Sequence, residues 1–383
     1  MYVTRPLSLY QNNPSATTLP PPEGPNGGYL VLQDDTSTPR QFFGLFKDSK
    51  IKTFPFPQNK LHVVTHDSGE TTDHFPVYFI PAVNLPLSSN VYYAIKAKGK
   101  HKGKACTSST DEEITTCCLC NCIKDVDPTP LDPTNTYQQF KVVLKRRFRA
   151  TSIAHDGHPP TFLRRKGWGL FSKTPKNFSL GEAKGMDQVL RARLPDFNFS
   201  VSYKAYNSVV VGKWYCPFMF IKEQLTLKEQ VKNSMYYEIT LEQQWDRVFY
   251  CDNTQYEGSR NTVFVDVAVP NESVKIAEVD AVQQGNDNNG VVWFSSMDGR
   301  ERVGLSSLIV GRMKWEEGRV GWVSDEGNQG NVLKIDEFGG LGKWERYGCY
   351  ILVERFVLRR MDGSLLLTYS FNHTHHIRSK WEC

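Results

Sequence analysis

Apolar residues recur at alternate positions, or in short runs, along most of this chain, which is the pattern of strands. In the first half such runs fall at 29–33, 61–65, 77–80, 91–96 and 138–144. The second half is denser: 201–211, 215–221, 235–251, 262–269, 274–282, 291–295, 305–315 and 350–371 read as strands or hairpins. Asp362-Gly363, between Phe356-Val357-Leu358 and Leu365-Leu366-Leu367, is a hairpin signal. Two stretches carry helical spacing. One is 180–194, with Ala183, Met186, Val189, Leu190 and Leu194 in phase, and the other is the shorter 225–232. Residues 11–28, rich in Pro, Asn, Ser and Gly, predict an extended, poorly packed segment. Residues 106–136 predict a loop of cysteines, acids and Asp-Pro or Thr-Pro steps.

These elements predict an α+β fold, mostly β, with two strand-rich domains and few short helices. The division expected is an N-terminal lead-in over 1–28, a β-rich domain over 29–194 that carries the Cys-rich loop, and a second β-rich domain over 195–383 ending in a long hairpin. Phe75-Pro76-Val77-Tyr78-Phe79-Ile80 echoes Cys216-Pro217-Phe218-Met219-Phe220-Ile221, and Val91-Tyr92-Tyr93-Ala94-Ile95 echoes Met235-Tyr236-Tyr237-Glu238-Ile239. An internal duplication would explain both echoes, and so would chance similarity between short aromatic strands.

Charge sharpens the division. Residues 1–185 hold 23 Lys and Arg against 15 Asp and Glu, whereas the remainder holds 23 against 26. An anionic partner is therefore expected to meet the first half. No apolar run has signal-peptide or membrane-spanning length, so the expected location is the cytoplasm, with its thiols reduced.

The opening Met1-Tyr2-Val3-Thr4-Arg5-Pro6-Leu7-Ser8, the block Leu19-Pro20-Pro21-Pro22-Glu23-Gly24-Pro25-Asn26 and the following Gly28-Tyr29-Leu30-Val31 resemble plant proteins grouped as domain of unknown function 1262. So do Thr115-Thr116-Cys117-Cys118, Val211-Gly212-Lys213-Trp214-Tyr215-Cys216-Pro217-Phe218 and the closing His373-Thr374-His375-His376-Ile377-Arg378-Ser379-Lys380-Trp381. The resemblance implies a land-plant origin and a link to stress or defence responses. It brings no catalytic residue, cofactor or substrate with it, and the cofactor is unknown on this reading.

Three groups of residues could carry chemistry. Cys117, Cys118, Cys120 and Cys122 offer thiols for S-acylation or for a metal, or are ordinary loop residues. Their adjacent and alternate spacing fits poorly with the separated pairs of structural zinc sites, so no metal is expected. Lys96, Lys98, Lys100, Lys102 and Lys104 repeat with period two. On an extended strand they would share one face, either solvated or set against an anion such as a lipid headgroup. Together with acylated cysteines they would make a two-signal anchor on an anionic membrane surface. His373 and His375 would likewise share a strand face, and His158 lies by the Asp156-Gly157 turn. These three are the acid–base candidates. No P-loop, nucleophile elbow or dinucleotide fingerprint is present, and no signature of a nucleic-acid binder. Two functions follow: a non-enzymatic stress- or defence-associated protein at the cytoplasmic membrane face, or an enzyme of plant metabolism holding a small molecule in a cleft between the two β domains.

Overall fold

The computed structural model describes every residue except 23, 39, 42–45, 68–70, 118–119, 166, 206, 254–260, 287–289 and 324–328. The chain forms a β-rich α+β fold that divides into two compact units. Unit 1 comprises Met1–Lys184 and Trp214–Tyr237, and unit 2 comprises Gly185–Lys213 and Glu238–Cys383. The first division thus falls before residue 195, and a segment of the expected second domain returns to unit 1. The block Cys216-Pro217-Phe218-Met219-Phe220-Ile221 therefore folds with unit 1, as does Phe75–Ile80 in the strand Thr72–Pro81. The two echoes do not supply one copy per unit, and their conformations differ: Phe218–Phe220 is a 3₁₀ turn. Among the described residues no helix is long and apolar enough to cross a membrane.

Unit 1 is built on an antiparallel sheet in the order Phe148–Ser152, Gln139–Leu144, Val91–Lys96, Thr72–Pro81, Leu61–Asp67, Gly169–Lys173 and Lys50–Ile51. Phe148 and Trp168 exchange two backbone hydrogen bonds of 3.1 Å, one in each direction. This bridge joins the strand at one end of the order to the segment just before Gly169–Lys173, so the sheet curls back on itself. Its interior is aromatic: Phe56 stacks on Tyr92 at 5.0 Å, and Trp168 lies over Phe79 and beside Phe148. Such rings bury large apolar areas and account for much of the core.

The N-terminus corrects the sequence reading. Instead of an extended lead-in, Tyr2–Pro6 pairs in parallel with Gly28–Leu32, and Leu7–Asn12 is a short helix. Met1, Tyr2 and Val3 are buried, and the Tyr2 hydroxyl donates to Pro81 O at 2.8 Å. The Pro- and Gly-rich stretch is a connection between two paired strands. Leu227–Asn233 is the short helix expected near 225–232, closed by a capping box in which Thr226 and Glu229 satisfy each other's backbone N–H groups.

In unit 2 the sheet runs Arg302–Ser306, Val291–Ser296, Val279–Asn286, Glu272–Ile276, Leu365–Glu382 and Arg346–Arg360, then the unit 2 parts of Tyr236–Asp252 and Val209–Pro217. Thr262–Pro270 and Gln329–Glu337 form a separate antiparallel pair. The hairpin signalled by Asp362-Gly363 is present: Gly363 takes φ of +85°, which glycine adopts without strain, and Asp362 accepts the Ser364 N–H at 2.9 Å. Its arms, Arg346–Arg360 and Leu365–Glu382, pair from Arg346 with Glu382 to Arg359 with Leu365.

Two helices in unit 2 differ from expectation. Leu305–Trp315 reads as a strand because Leu308, Ile309 and Val310 are large and aliphatic, yet only Arg302–Ser306 is extended. Ser306 caps a helix over Ser307–Gly318, its hydroxyl accepting the Leu308 N–H at 3.4 Å, and Met313 to Glu317 favour the helical state. In 180–194 the helix is confined to Gln188–Arg193, capped by Asp187. Before it, Gly185 and Met186 pair with Lys213 and Gly212, with Gly185 at φ of +89°.

Candidate functional site

The two helices of unit 2 and its long hairpin bring six charged or titratable side chains together. The short helix supplies Arg191 and the longer helix Arg312, Glu316 and Glu317. The hairpin supplies Glu354 and His373. Each is at most 3% exposed. Arg191 Nε donates to Glu354 Oε1 at 3.0 Å, and Nη2 bonds both Glu354 Oε2 and, at 3.2 Å, Glu317 Oε1. Arg312 Nη2 holds Glu316 Oε1 at 2.6 Å. Gln243 Nε2 bridges Glu354 Oε1 at 2.6 Å and the Arg191 carbonyl at 3.1 Å. His373 Nε2 lies 2.9 Å from Glu317 Oε2.

Burial of this many charges is costly unless they balance. Three glutamates face the buried Arg191 and Arg312, and the part-exposed Arg319 reaches Glu316 Oε2 at 3.6 Å. Within the cluster the neighbouring acids Glu317 and Glu354 are driven apart in acidity. Burial, with the neighbouring Glu354 carboxylate, pushes the Glu317 acid well above its usual value of 4.5. Burial acts on Glu354 too, but the hydrogen bonds from Arg191 and Glu317 outweigh it and hold Glu354 down at about 2. Of the two acids, Glu317 is the one that holds a proton more readily, and Glu354 is the one that stays ionised. Burial lowers His373 to about 4, so the imidazole is neutral. In the tautomer that donates to Glu317 Oε2, His373 carries its hydrogen on Nε2. Nδ1 is then a lone-pair acceptor.

A pocket of about 190 Å³ opens against this cluster, lined by Arg191, Gln243, Glu354, His373 and His376, with Leu194, Val320 and Leu352 among its apolar walls. Two buried polar atoms on its lining side chains have no hydrogen-bond partner: His373 Nδ1 and Gln243 Oε1. Gln243 is locked by its two donated bonds, so both orphans are acceptors.

His373 is the one sequence-selected residue that the structure places in this cluster. The alternation expected for His373 and His375 is broken by a bulge: Ile351 pairs with Ile377 and Leu352 with His373, so Thr374, His375 and His376 leave the ladder. His375 is exposed, its ring 5.3 Å from that of His373, and His376 turns to the pocket. His158 belongs to unit 1, where its Nε2 meets Asp111 Oδ1 at 2.8 Å.

The other candidates also change. Cys122 is disulfide-bonded and so offers no thiol, against the expected reduced state, whereas Cys106, Cys216, Cys251, Cys349 and Cys383 are free. Cys118 lies outside the described residues. Cys117 and Cys120 oppose each other across the short pair Ile114–Cys117 and Cys120–Ile123. The five lysines do not form one face. The strand stops at Lys96, and the chain turns back so that Gly103 N bonds Lys96 O and Lys96 N bonds Lys104 O. Lys96 Nζ sits 4.1 Å over the Phe162 ring, Lys98 and Lys100 are exposed, and burial beside Lys232 and Lys228 lowers Lys102. Gly99 and Gly103, both at positive φ, are the sequence signal for this turn.

Glu317, Glu354 and His373 place one ligand atom each within 4.8 Å of one another, a set suited to a divalent ion. Arg191 already donates to both carboxylates and supplies the positive charge an ion would bring, so the set fits a proton and a guanidinium better than a metal.

No curated protein matches the chain. Among solved structures, the crystal structure of Cry35Ab1 is similar at a TM-score of 0.46 and 12% identity, covering 85% of this chain and 90% of that one. Residues 23–119, all within unit 1, match the family described as Protein of unknown function (DUF1262).

Proposed function

We propose that the protein is a small-molecule binder whose ligand enters the unit 2 pocket and donates hydrogen bonds to His373 Nδ1 and Gln243 Oε1. The observation that carries this reading is the pair of buried acceptors without partners on the lining of one pocket. A buried polar group left unsatisfied costs about 1–3 kcal/mol, and a ligand with hydroxyl or amine donors recovers that loss at both atoms. Arg191 is committed to Glu354 and Glu317, so among the described residues the pocket lining has no free cation to meet an anion. The ligand class is therefore neutral or cationic, donor-rich and small.

Binding is favoured over turnover. His373, lowered to about 4, is a weak base at neutral pH, and Glu317, raised by burial, is a weaker acid than an ordinary glutamate. A non-enzymatic role is thus retained, but the membrane anchor is not: Cys122 has no free thiol, and the lysines do not share a face.

The test is native mass spectrometry of the protein purified from cells that make it, followed by calorimetric titration with catechol, glucose and tyramine. His373→Phe and Gln243→Leu remove one acceptor each while filling its space. The reading expects a co-purifying neutral or cationic molecule, or saturable binding of one probe, weakened at least tenfold in either variant. Equal binding by wild type and both variants, or no ligand and no probe binding, would overturn it.

A further inference from the structure

Unit 1 holds a larger pocket, of about 480 Å³, at the seam where its sheet curls back on itself. The turn after Gln139–Leu144 brings Arg146 and Arg147 to its rim, and the edge strand Lys50–Ile51 brings Lys50. Phe148, Trp168 and Phe171 line it between them. Openings at the ends of closed sheets are frequent ligand sites, because the backbone there is satisfied and side chains from several strands converge.

The rim charges are not equivalent. Lys52 is held by Asp48 at 3.0 Å, and Arg147 by Asp67 at 3.4 Å. Lys50 and Arg146 have no carboxylate partner among the described residues, and both are exposed. Among the described residues the pocket therefore presents two uncompensated cations beside the apolar patch of Phe148, Trp168, Leu170 and Phe171, with Thr65, Thr72, His74 and the paired Asp67 as its polar wall. Repulsion between like charges at one rim is relieved by an anion, and the apolar lining is covered by a hydrophobic body.

We propose that this pocket is a second binding site, for a small organic anion with an aromatic or apolar body, its carboxylate or phosphate monoester group meeting Lys50 and Arg146. The site has the opposite ligand preference from the unit 2 pocket and stands or falls independently of it. The basic excess of the first half of the chain and the Lys145-Arg146-Arg147 run find their use here.

The experiment is an NMR titration of the full chain with four probes: phenyl phosphate, benzoate, benzyl alcohol and inorganic phosphate. The expected result is saturable binding of phenyl phosphate or benzoate, with shifts at the Trp168 indole N–H and at backbone amides of 50–51, 146–148 and 169–171. Which of the two binds more tightly distinguishes phosphate from carboxylate as the natural head group. Lys50→Gln with Arg146→Gln should weaken that binding at least tenfold and flatten its salt dependence, while the amide spectrum elsewhere stays unchanged. Phe171→Ala should weaken the aromatic anions and leave inorganic phosphate unaffected. The proposal is overturned if neither aromatic anion binds, if benzyl alcohol binds as tightly as they do, if inorganic phosphate matches phenyl phosphate, or if the double variant binds like wild type.

Discussion

Arginine serves two opposite purposes in the two units. In unit 2, Arg191 is sealed from water and has its donors committed to Glu354, Glu317 and the Glu316 carbonyl. In unit 1, Arg146 is exposed at a pocket rim with no carboxylate against it among the described residues. A buried guanidinium sets the protonation of its neighbours and cannot be removed without leaving charge stranded. An exposed one contributes little to the fold and is free to meet a ligand. The same side chain thus fixes a proton in one unit and offers a docking charge in the other, and the difference is burial.

The largest effect should come from Arg191→Leu. It strands buried carboxylates, and breaking a buried pair in this way costs about 3–5 kcal/mol. Urea denaturation followed by the fluorescence of buried Trp245, Trp322 and Trp344 would measure it. Glu354→Gln should follow at about 2–4 kcal/mol, less because Glu317 is able to ionise in its place against Arg191.

Glu317→Gln separates a charge role from a proton role. Near pH 4.5 it should cost about 1 kcal/mol, the worth of one altered hydrogen bond. Above that pH the unfolded chain loses the Glu317 proton while the folded one keeps it, so wild-type stability falls as pH rises. The variant lacks this loss and should gain on wild type by up to about 1.4 kcal/mol per pH unit. The acid side runs the other way. Glu354, held at about 2, contributes stability that is present above 4.5 and lost as pH falls toward 2. His373, held at about 4, loses its contribution as pH falls from 6.5 toward 4. Denaturation midpoints across pH for wild type and Glu317→Gln would show the two curves crossing. The smallest effect should be that of Arg146→Gln, within about 0.5 kcal/mol, as for surface positions generally. A loss near that of Arg191→Leu would dissolve the contrast between the units.

Much of the fold was legible in local pattern. Alternating apolar positions located most strands, Asp362-Gly363 located the hairpin, and the 225–232 helix carried its own cap. The candidate site was largely hidden. His373 could be singled out by type, but its partners lie 56 and 19 residues away in sequence, and no motif spacing links them. Glu316 and Glu317 sat next to a segment read as strand because aliphatic residues at the start of the helix masked Ser306 as a cap. Arg191 carries no signal of its own in the 180–194 helical pattern, and only tertiary packing encloses it. The lysine run failed for a local reason: period two implies one face only where the backbone stays extended, and Gly99 and Gly103 turn it.

A proton on Glu317 is the hinge of this account, since it separates the roles of the two coupled acids and bears on the tautomer of His373. Isotope-edited infrared difference spectroscopy of wild type against Glu317→Gln at neutral pH reads it directly. The account predicts a protonated carboxylic acid carbonyl band in wild type that is absent from the variant. A wild-type spectrum with only carboxylate bands at that pH would contradict it.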